Sequence, residues 1–163
     1  MIFKSLKQKL QSTSEWIKTS LYFGLTLLSV FILSHYVKFL ISETDSLPYH
    51  FFLHLPRIKP QKEDYTMVDS AWYQRKIIKK IIGVAGDSIC LQSNGQVFVN
   101  KLKVGLPVTI ASDGRKLKAI QAQVIPKGYV FLYGTHPKSF DSRYEELGLI
   151  PLSSLNGLVV PLY

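Results

Sequence analysis

The chain has 163 residues, of which 47% are hydrophobic and 19% charged, and its formal net charge is +9. This composition excludes a disordered or collagen-like chain, and the single cysteine excludes an intramolecular disulfide framework and a four-cysteine zinc site. The positive charge is spread along the sequence without a long basic block containing aromatic residues, so we expect no nucleic-acid partner.

The first predicted element is a membrane-spanning helix. Nineteen uncharged residues separate Lys18 from Lys38, and as a helix they measure about 28 Å, which matches the hydrocarbon core of a bilayer. The run is longer than the apolar core of a cleavable signal peptide. We predict a tail at residues 1–18, a retained transmembrane helix at 19–41 and an outer domain at 42–163. The lysines of the tail place it in the cytoplasm.

The outer domain is predicted to be mainly β. Turn signals such as Asn94-Gly95 and Asp113-Gly114 lie between short apolar runs, a pattern typical of antiparallel hairpins. The runs are residues 89–91, 97–99, 108–111 and 129–133. The clearest loop is the segment 56–64. The outer domain is long enough to form one hydrophobic core.

Residues 77–82, Ile-Ile-Lys-Lys-Ile-Ile, allow two interpretations. The isoleucines stand at i, i+1, i+4 and i+5, which is one face of a helix with the lysines opposite. The abundance of isoleucine and the glycines that follow favour a strand instead. In a strand, Lys79 shares a face with Ile77 and Ile81. A lysine in that setting is ordinarily a solvated side chain on an edge strand.

Two further segments carry candidate catalytic side chains. Ser46 lies in the segment TDSLP (44–48), close in sequence to the membrane span; taken alone, this segment is typical of a polar turn. A serine and a lysine together can act as nucleophile and base without a histidine. The segment SFDSR (139–143), if extended, presents Asp141 and Arg143 on one face, where they can pair. Taken alone, it is an ordinary polar turn.

The histidines and the cysteine do not indicate a metal centre. His50 and His54 are four residues apart, but residues 51–53 lack the glutamate of a His-Glu-x-x-His zinc motif, and His136 lies far along the chain. Cys90 is predicted to be a small buried apolar residue. We therefore expect neither a metal nor a cofactor.

Taken together, four segments resemble the type I signal peptidases, a family of membrane-bound serine/lysine peptidases. They are the N-terminal anchor, TDSLP at 44–48, IKKIIGVAGD at 78–87 and GTHPKSFDSRY at 134–144. The last segment is the most specific, and its His-Pro form resembles the conjugative-transfer (TraF-type) branch, which processes pilins. The resemblance runs from about residue 20 to the end and implies a small antiparallel β domain of the signal-peptidase (LexA-like) type.

The resemblance implies a catalytic pair. Ser46 aligns with the nucleophile and Lys79 with the base, because Lys79 stands four residues before Gly83. The Ser46 backbone N–H and the Thr44 hydroxyl align with the oxyanion hole. As a base, Lys79 must be neutral, which requires its pKa to fall by about three units through burial.

The resemblance also implies supporting roles in the last segment. Ser139 aligns with the hydroxyl that orients the lysine, and Asp141 and Arg143 align with a structural pair. The chain departs from the family at Ala85, where proline is usual, and at His50, where the transfer peptidases tend to have glycine. Neither change removes a catalytic group.

The function implied is a membrane-bound serine endopeptidase of the bacterial inner membrane with a periplasmic catalytic domain. Its substrate would be a membrane-embedded exported precursor, a prepilin or another conjugative-transfer protein. Its other partners would be the lipid bilayer and further conjugative-transfer components. Two alternatives stay open: a general signal peptidase I, and a catalytically silent membrane-anchored pilus-assembly protein with the same fold.

Overall fold

The computed structural model describes residues 2–42 and 45–162, with side chains from residue 15 onward. The chain divides into two units, Met1–Val37 and Lys38–Tyr163. The first contains one helix and the second contains the β-sheets.

Helix α1 runs from Ile2 to Tyr36. Its portion Glu15–Tyr36 has a mean hydropathy of 1.6 and is long and apolar enough to cross a membrane. The predicted end at residue 41 is wrong, because Lys38–Ile41 forms strand β1 and pairs with strand β2, Phe51–Leu55. Sheet hydrogen bonds with the next strand determine the conformation here, and the apolar pattern of the run itself does not reveal them.

Short strands in the second unit form two antiparallel sheets. After β2 they are β3 (Tyr65–Ser70), β4 (Arg75–Gly83), β5 (Ser88–Leu91), β6 (Val97–Val99), β7 (Leu102–Gly105), β8 (Gln123–Val124), β9 (Tyr129–Tyr133), β10 (Ile150–Pro151) and β11 (Leu158–Pro161). The larger sheet has the order β1-β2-β11-β3-β4-β9-β10 and the smaller the order β7-β6-β5-β8. The described strand pairs are antiparallel. The predicted fold class, mainly β with one N-terminal helix, is confirmed.

The segment 77–82 is a strand, as its isoleucine content favoured. It belongs to β4, which pairs with β3 on one side and β9 on the other. Because β4 is a central strand, Lys79 is not the solvated edge-strand lysine that such a pattern ordinarily gives. Only 2% of the surface of Lys79 is exposed. The central position of β4 in the sheet therefore places the ionisable side chain of Lys79 in the interior of the domain.

The smaller sheet packs where β4 and β9 lie side by side. The cluster that joins them consists of Ile82, Ile89, Val97, Val99, Val104, Ile120, Ile125 and Phe131. At Gly83 a Cβ atom would come within 2.6 Å of the Ile125 side chain and 3.0 Å of the Phe131 Cβ. The absence of a side chain at Gly83 lets the two sheets meet closely at this point.

Most of the predicted turns and runs are present. Residues 56–64 connect β2 to β3, and Asn94-Gly95 lies in the antiparallel connection between β5 and β6. The run 108–111 is not a strand, because only Ile110 forms an isolated bridge, with Lys116. Pro107 precedes this run and cannot donate a ladder hydrogen bond.

The prediction for Cys90 is wrong. Cys90 is exposed, whereas its neighbour Ile89 is buried in the core. Successive side chains of a strand point to opposite faces, so burying Ile89 turns Cys90 towards solvent.

Candidate active site

Lys79 and Ser139 form a buried hydrogen-bonded pair. The Lys79 Nζ donates to the Ser139 Oγ at 2.7 Å, and both side chains are buried. Burial lowers the pKa of Lys79 to about 8, although the negative charge of Asp141 acts in the opposite direction. The neutral amine is therefore accessible near neutral pH, which is the state that a general base requires.

Asp141 and Arg143 form a buried ion pair near Lys79. The Arg143 Nε donates to Asp141 Oδ1 at 2.9 Å, and Nη2 donates to Oδ2 at 2.7 Å. Their side chains are 0% and 1% exposed, respectively. Burial alone would lower the pKa of Arg143, but the hydrogen bond and charge of Asp141 raise it above its usual value. The pair is thus fixed as a charged, bidentate contact.

The same ion pair closes the loop that carries Ser139. The Gly134 N–H donates to Asp141 Oδ2 at 2.9 Å. Arg143 Nη2 donates to the carbonyl oxygens of Gly134, at 3.1 Å, and His136, at 3.2 Å. The start and the end of the loop are therefore tied together, which restricts where Ser139 can lie.

Gly134 makes room for the lysine and the serine. A Cβ atom at this position would overlap the Ser139 Oγ and lie 3.0 Å from the Lys79 Nζ. Sequence reasoning assigned no role to Gly134. The available signal was its place at the start of the segment GTHPKSFDSRY, but only the three-dimensional contact explains it.

Ser46 lines the same cleft as Lys79 and Ser139, which has a volume of about 380 Å³. Its carbonyl oxygen accepts hydrogen bonds from the His136 N–H and the Thr135 hydroxyl, each at 3.4 Å. Among the described residues, Lys79 donates to Ser139 and not to the Ser46 Oγ. Catalytic hydrogen bonds are often formed only when substrate is bound.

The turn that holds Ser46 is attached to the larger sheet. The next residue, Leu47, is buried with Phe52, Met67 and Val159. Thr44, the predicted second oxyanion donor, lies outside the described residues. The fold thus places the predicted nucleophile and base on one cleft, and their catalytic roles stay predictions.

An aromatic cluster supports the Ser139 loop and was not predicted. The Phe140 ring stacks on Trp72, with centroids 5.1 Å apart, and on Tyr144, with centroids 6.0 Å apart. The guanidinium carbon of Arg115 lies 3.7 Å from the Trp72 ring centroid. These residues come from three distant segments, so no local sequence pattern connects them.

The histidines serve other contacts. His54 is buried and its Nε2 bonds to the carbonyl oxygen of Asn156, while the His136 Nδ1 accepts from the Lys138 N–H at 3.1 Å. Within the described part of the chain, no cluster of three or more histidine, cysteine, aspartate or glutamate residues is arranged to hold a metal ion.

Two curated bacterial proteins are similar to part of the chain. The "Conjugal transfer protein TraF" of Agrobacterium fabrum is 28% identical over 87 residues, which is 53% of this chain and 48% of that protein. The "Probable conjugal transfer protein TraF" of Sinorhizobium fredii is 33% identical over 88 residues, which is 50% of this chain and 43% of that protein. The matched region therefore spans about half the length of these relatives.

A crystal structure of a signal peptidase I from Enterococcus faecalis is also similar, with a TM-score of 0.42 and 23% sequence identity. The alignment covers 61% of this chain and 96% of the chain in that crystal structure. The model of the family described as "Signal peptidase, peptidase S26" matches residues 13–163. Because that match extends over most of the sequence, the chain belongs to the signal peptidase S26 family.

Proposed function

We propose that this chain is a membrane-bound serine endopeptidase that cleaves an exported precursor, with Ser46 as nucleophile and Lys79 as base. The observation that carries the proposal is the buried Lys79–Ser139 pair on the cleft that Ser46 lines. Burial lowers the pKa of Lys79 to about 8, so that its amine can accept a proton. Ionisable side chains whose pKa values are strongly shifted by burial in a cleft cluster at functional sites, whereas a solubilising lysine lies at the surface.

The proposed reaction is acyl transfer. The Ser46 Oγ attacks the carbonyl carbon of the scissile bond while the Lys79 amine takes the hydroxyl proton. The Ser46 N–H and the Thr44 hydroxyl would bind the oxyanion, and such a donor contributes about 3–4 kcal/mol in well-studied enzymes. The leaving amine takes the proton from Lys79 as the peptide bond breaks. Lys79 then activates the water that hydrolyses the ester on Ser46.

The proposed substrate is a prepilin or another conjugative-transfer precursor embedded in the membrane. Support comes from the two relatives named as conjugal transfer proteins. The chain would work at the lipid bilayer beside other components of the transfer apparatus. A catalytically silent assembly protein is disfavoured, because Ser46, Lys79, Ser139 and the Asp141–Arg143 pair are all present.

The acyl-enzyme provides a direct test of this function. The full-length protein in detergent is mixed with a conjugative prepilin or with a general secretory preprotein, and the reaction is quenched at early times. We expect the prepilin to be shortened and mass spectrometry to find its acyl group on the peptide that contains Ser46. Ser46→Ala should give neither result, whereas the exposed control Ser153→Ala should give both. Trimming by Ser46→Ala would contradict the proposal, and exclusive cleavage of the secretory preprotein would favour the general signal peptidase.

We also propose that residues 1–18 are cytoplasmic and that the β domain is in the periplasm, in the bacterial inner membrane. The net charge of the tail supports this orientation, because Lys4, Lys7, Lys9 and Lys18 outnumber Glu15. Alkaline phosphatase fused after residue 60 should be active in living cells, and a reporter that requires the cytoplasm should be inactive at the same position. The reverse pattern would overturn the orientation.

A further inference from the structure

The candidate active site continues along the sheet as a longer cleft. The depression that contains Ser46 and Lys79 shares Arg75, Ile77 and Ile78 with a neighbouring depression. The neighbouring one extends across the sheet to Lys38 in β1. An extended peptide lying on this surface would therefore pass the nucleophile and continue over the first residues of β4.

The cleft carries several unpaired positive charges. Four exposed cationic side chains line the two depressions: Lys38, Arg75, Lys76 and Lys138. None of these four forms a salt bridge within the described part of the chain. By contrast, Lys62, Lys80, Arg115 and Arg143 each pair with a carboxylate. The cations of the cleft are thus available to an external partner.

Positive charges outnumber negative ones among the described side chains of the two depressions. Among the described residues that line the two depressions, Asp45 is the one acidic side chain. Asp69 lies opposite Lys76 in the β3–β4 ladder and offsets part of the charge of that lysine, but Asp69 lines neither depression, and its Oδ2 accepts a hydrogen bond from the Asn156 amide at 3.1 Å. A cleft lined by one sign of charge focuses the electrostatic potential and attracts ligands of opposite charge.

Arg75 is held in place beside the candidate catalytic loop. Its guanidinium carbon lies 5.4 Å from the centroid of the Tyr73 ring, and Tyr73 contacts Phe140 edge to face at 5.4 Å. Phe140 follows Ser139 directly in the sequence. A cation stacked on a ring that lines the same cleft is partly pre-organised for binding.

From these observations we infer that the cleft selects precursors with acidic side chains next to the scissile bond, and that Arg75 and Lys138 are specificity-determining residues. The inference rests on the proposed peptidase function. A bilayer with anionic headgroups is the competing partner for these charges. The precursor is favoured because Arg75 and Lys138 line the depression that contains Ser46.

The test uses the full-length protein and three versions of one prepilin, with aspartate, asparagine or lysine at the positions flanking the cleavage site. We expect the aspartate version to have the highest kcat/KM. Each favourable charge pair at such an exposed site should raise kcat/KM by about 2- to 5-fold. Arg75→Glu and, independently, Lys138→Glu should lower the ratio of aspartate to lysine cleavage by about 3- to 25-fold. Lys127→Glu, an exposed charge reversal outside the cleft, should leave the ratio unchanged.

Raising the ionic strength should shrink the preference, because salt screens exposed charges. Equal cleavage of the three versions, with unchanged ratios in both variants, would overturn the inference while leaving the peptidase function intact. A uniform loss of activity together with weaker binding to vesicles of anionic phospholipid would assign the cations to the bilayer instead and also overturn it. Absence of both cleavage and a Ser46 adduct would reject the peptidase function itself.

Discussion

Lys79→Arg should abolish most of the activity although it keeps the positive charge. We expect kcat/KM to fall by about 100- to 10,000-fold, the contribution typical of a general base. A guanidinium cannot lose a proton in the working pH range, and the larger group must enter a site where Lys79 is 2% exposed. Cleavage of the prepilin by the purified variant measures the loss.

The neighbouring lysine provides the matched control. The Lys80 Nζ lies 2.8 Å from the Glu63 carboxylate, and this hydrogen bond raises the pKa of Lys80. Lys80→Arg can keep the ion pair and should retain most of the activity. If Lys80 proves essential and Lys79 dispensable, the assignment of the base is wrong by one residue.

The pKa of Lys79 also predicts how activity depends on pH. In the free enzyme, kcat/KM should rise as pH increases through about 8, because the neutral amine is the reactive form. The hydrogen bond to Ser139 stabilises the ammonium. Ser139→Ala should therefore move the midpoint of the profile to lower pH. A profile without a titration near this value would remove Lys79 from the mechanism.

The free energy of unfolding should also depend on pH through the protonation of Lys79. The folded state holds the Lys79 proton less tightly than the unfolded state, so the unfolded state binds more protons between about pH 8 and 10.5. The contribution of Lys79 to the free energy of unfolding is therefore lowest below about pH 8 and rises as the pH increases to about 10.5. Lys79→Met should consequently be more stable than the parent protein near pH 7, by up to about 3 kcal/mol. The gain should disappear above about pH 10.5, as denaturant titrations at both pH values can test.

Contiguous segments made much of the fold predictable. The turn signal Asn94-Gly95, the loop 56–64 and the run 129–133 are local features, and each corresponds to a turn, loop or strand of the structure. The spacing of the isoleucines in segment 77–82 also fitted a helix, but the abundance of β-branched residues correctly favoured a strand. The candidate site was identified in the same way, from short segments that match the family.

The features that local sequence patterns did not predict depend on contacts between segments that are separate in the sequence. The predicted helix extends past Lys38 to residue 41, but Lys38–Ile41 pairs with β2 and forms a strand. Taken alone, residues 139–143 form an ordinary polar turn, yet Ser139 is buried and Arg143 ties its loop back to the carbonyl oxygen of Gly134. Trp72 lies in the connection between β3 and β4 and stacks on Phe140, which is far along the chain, so no local pattern links the two rings.

Asp141→Ala should produce the largest loss of stability among these variants. It leaves the guanidinium of Arg143 unpaired in a site where 1% of that side chain is exposed. Breaking a buried ion pair on one side costs about 3–5 kcal/mol, because the remaining charge has no compensation. The Gly134 N–H also loses its acceptor. Thermal and denaturant unfolding should therefore show a lower free energy of unfolding, together with reduced activity.

Two comparisons separate this effect from catalysis. Ser139→Ala removes one buried hydroxyl and should cost about 1–3 kcal/mol, while kcat falls by about 10- to 1000-fold because Lys79 loses its orientation. The double variant Asp141→Ala/Arg143→Met removes both charges and should be more stable than Asp141→Ala alone. If the double variant unfolds more easily than Asp141→Ala, the cost does not arise from an uncompensated charge on Arg143. Full activity of Ser139→Ala with an unchanged pH profile would mean that the loop does not control the lysine.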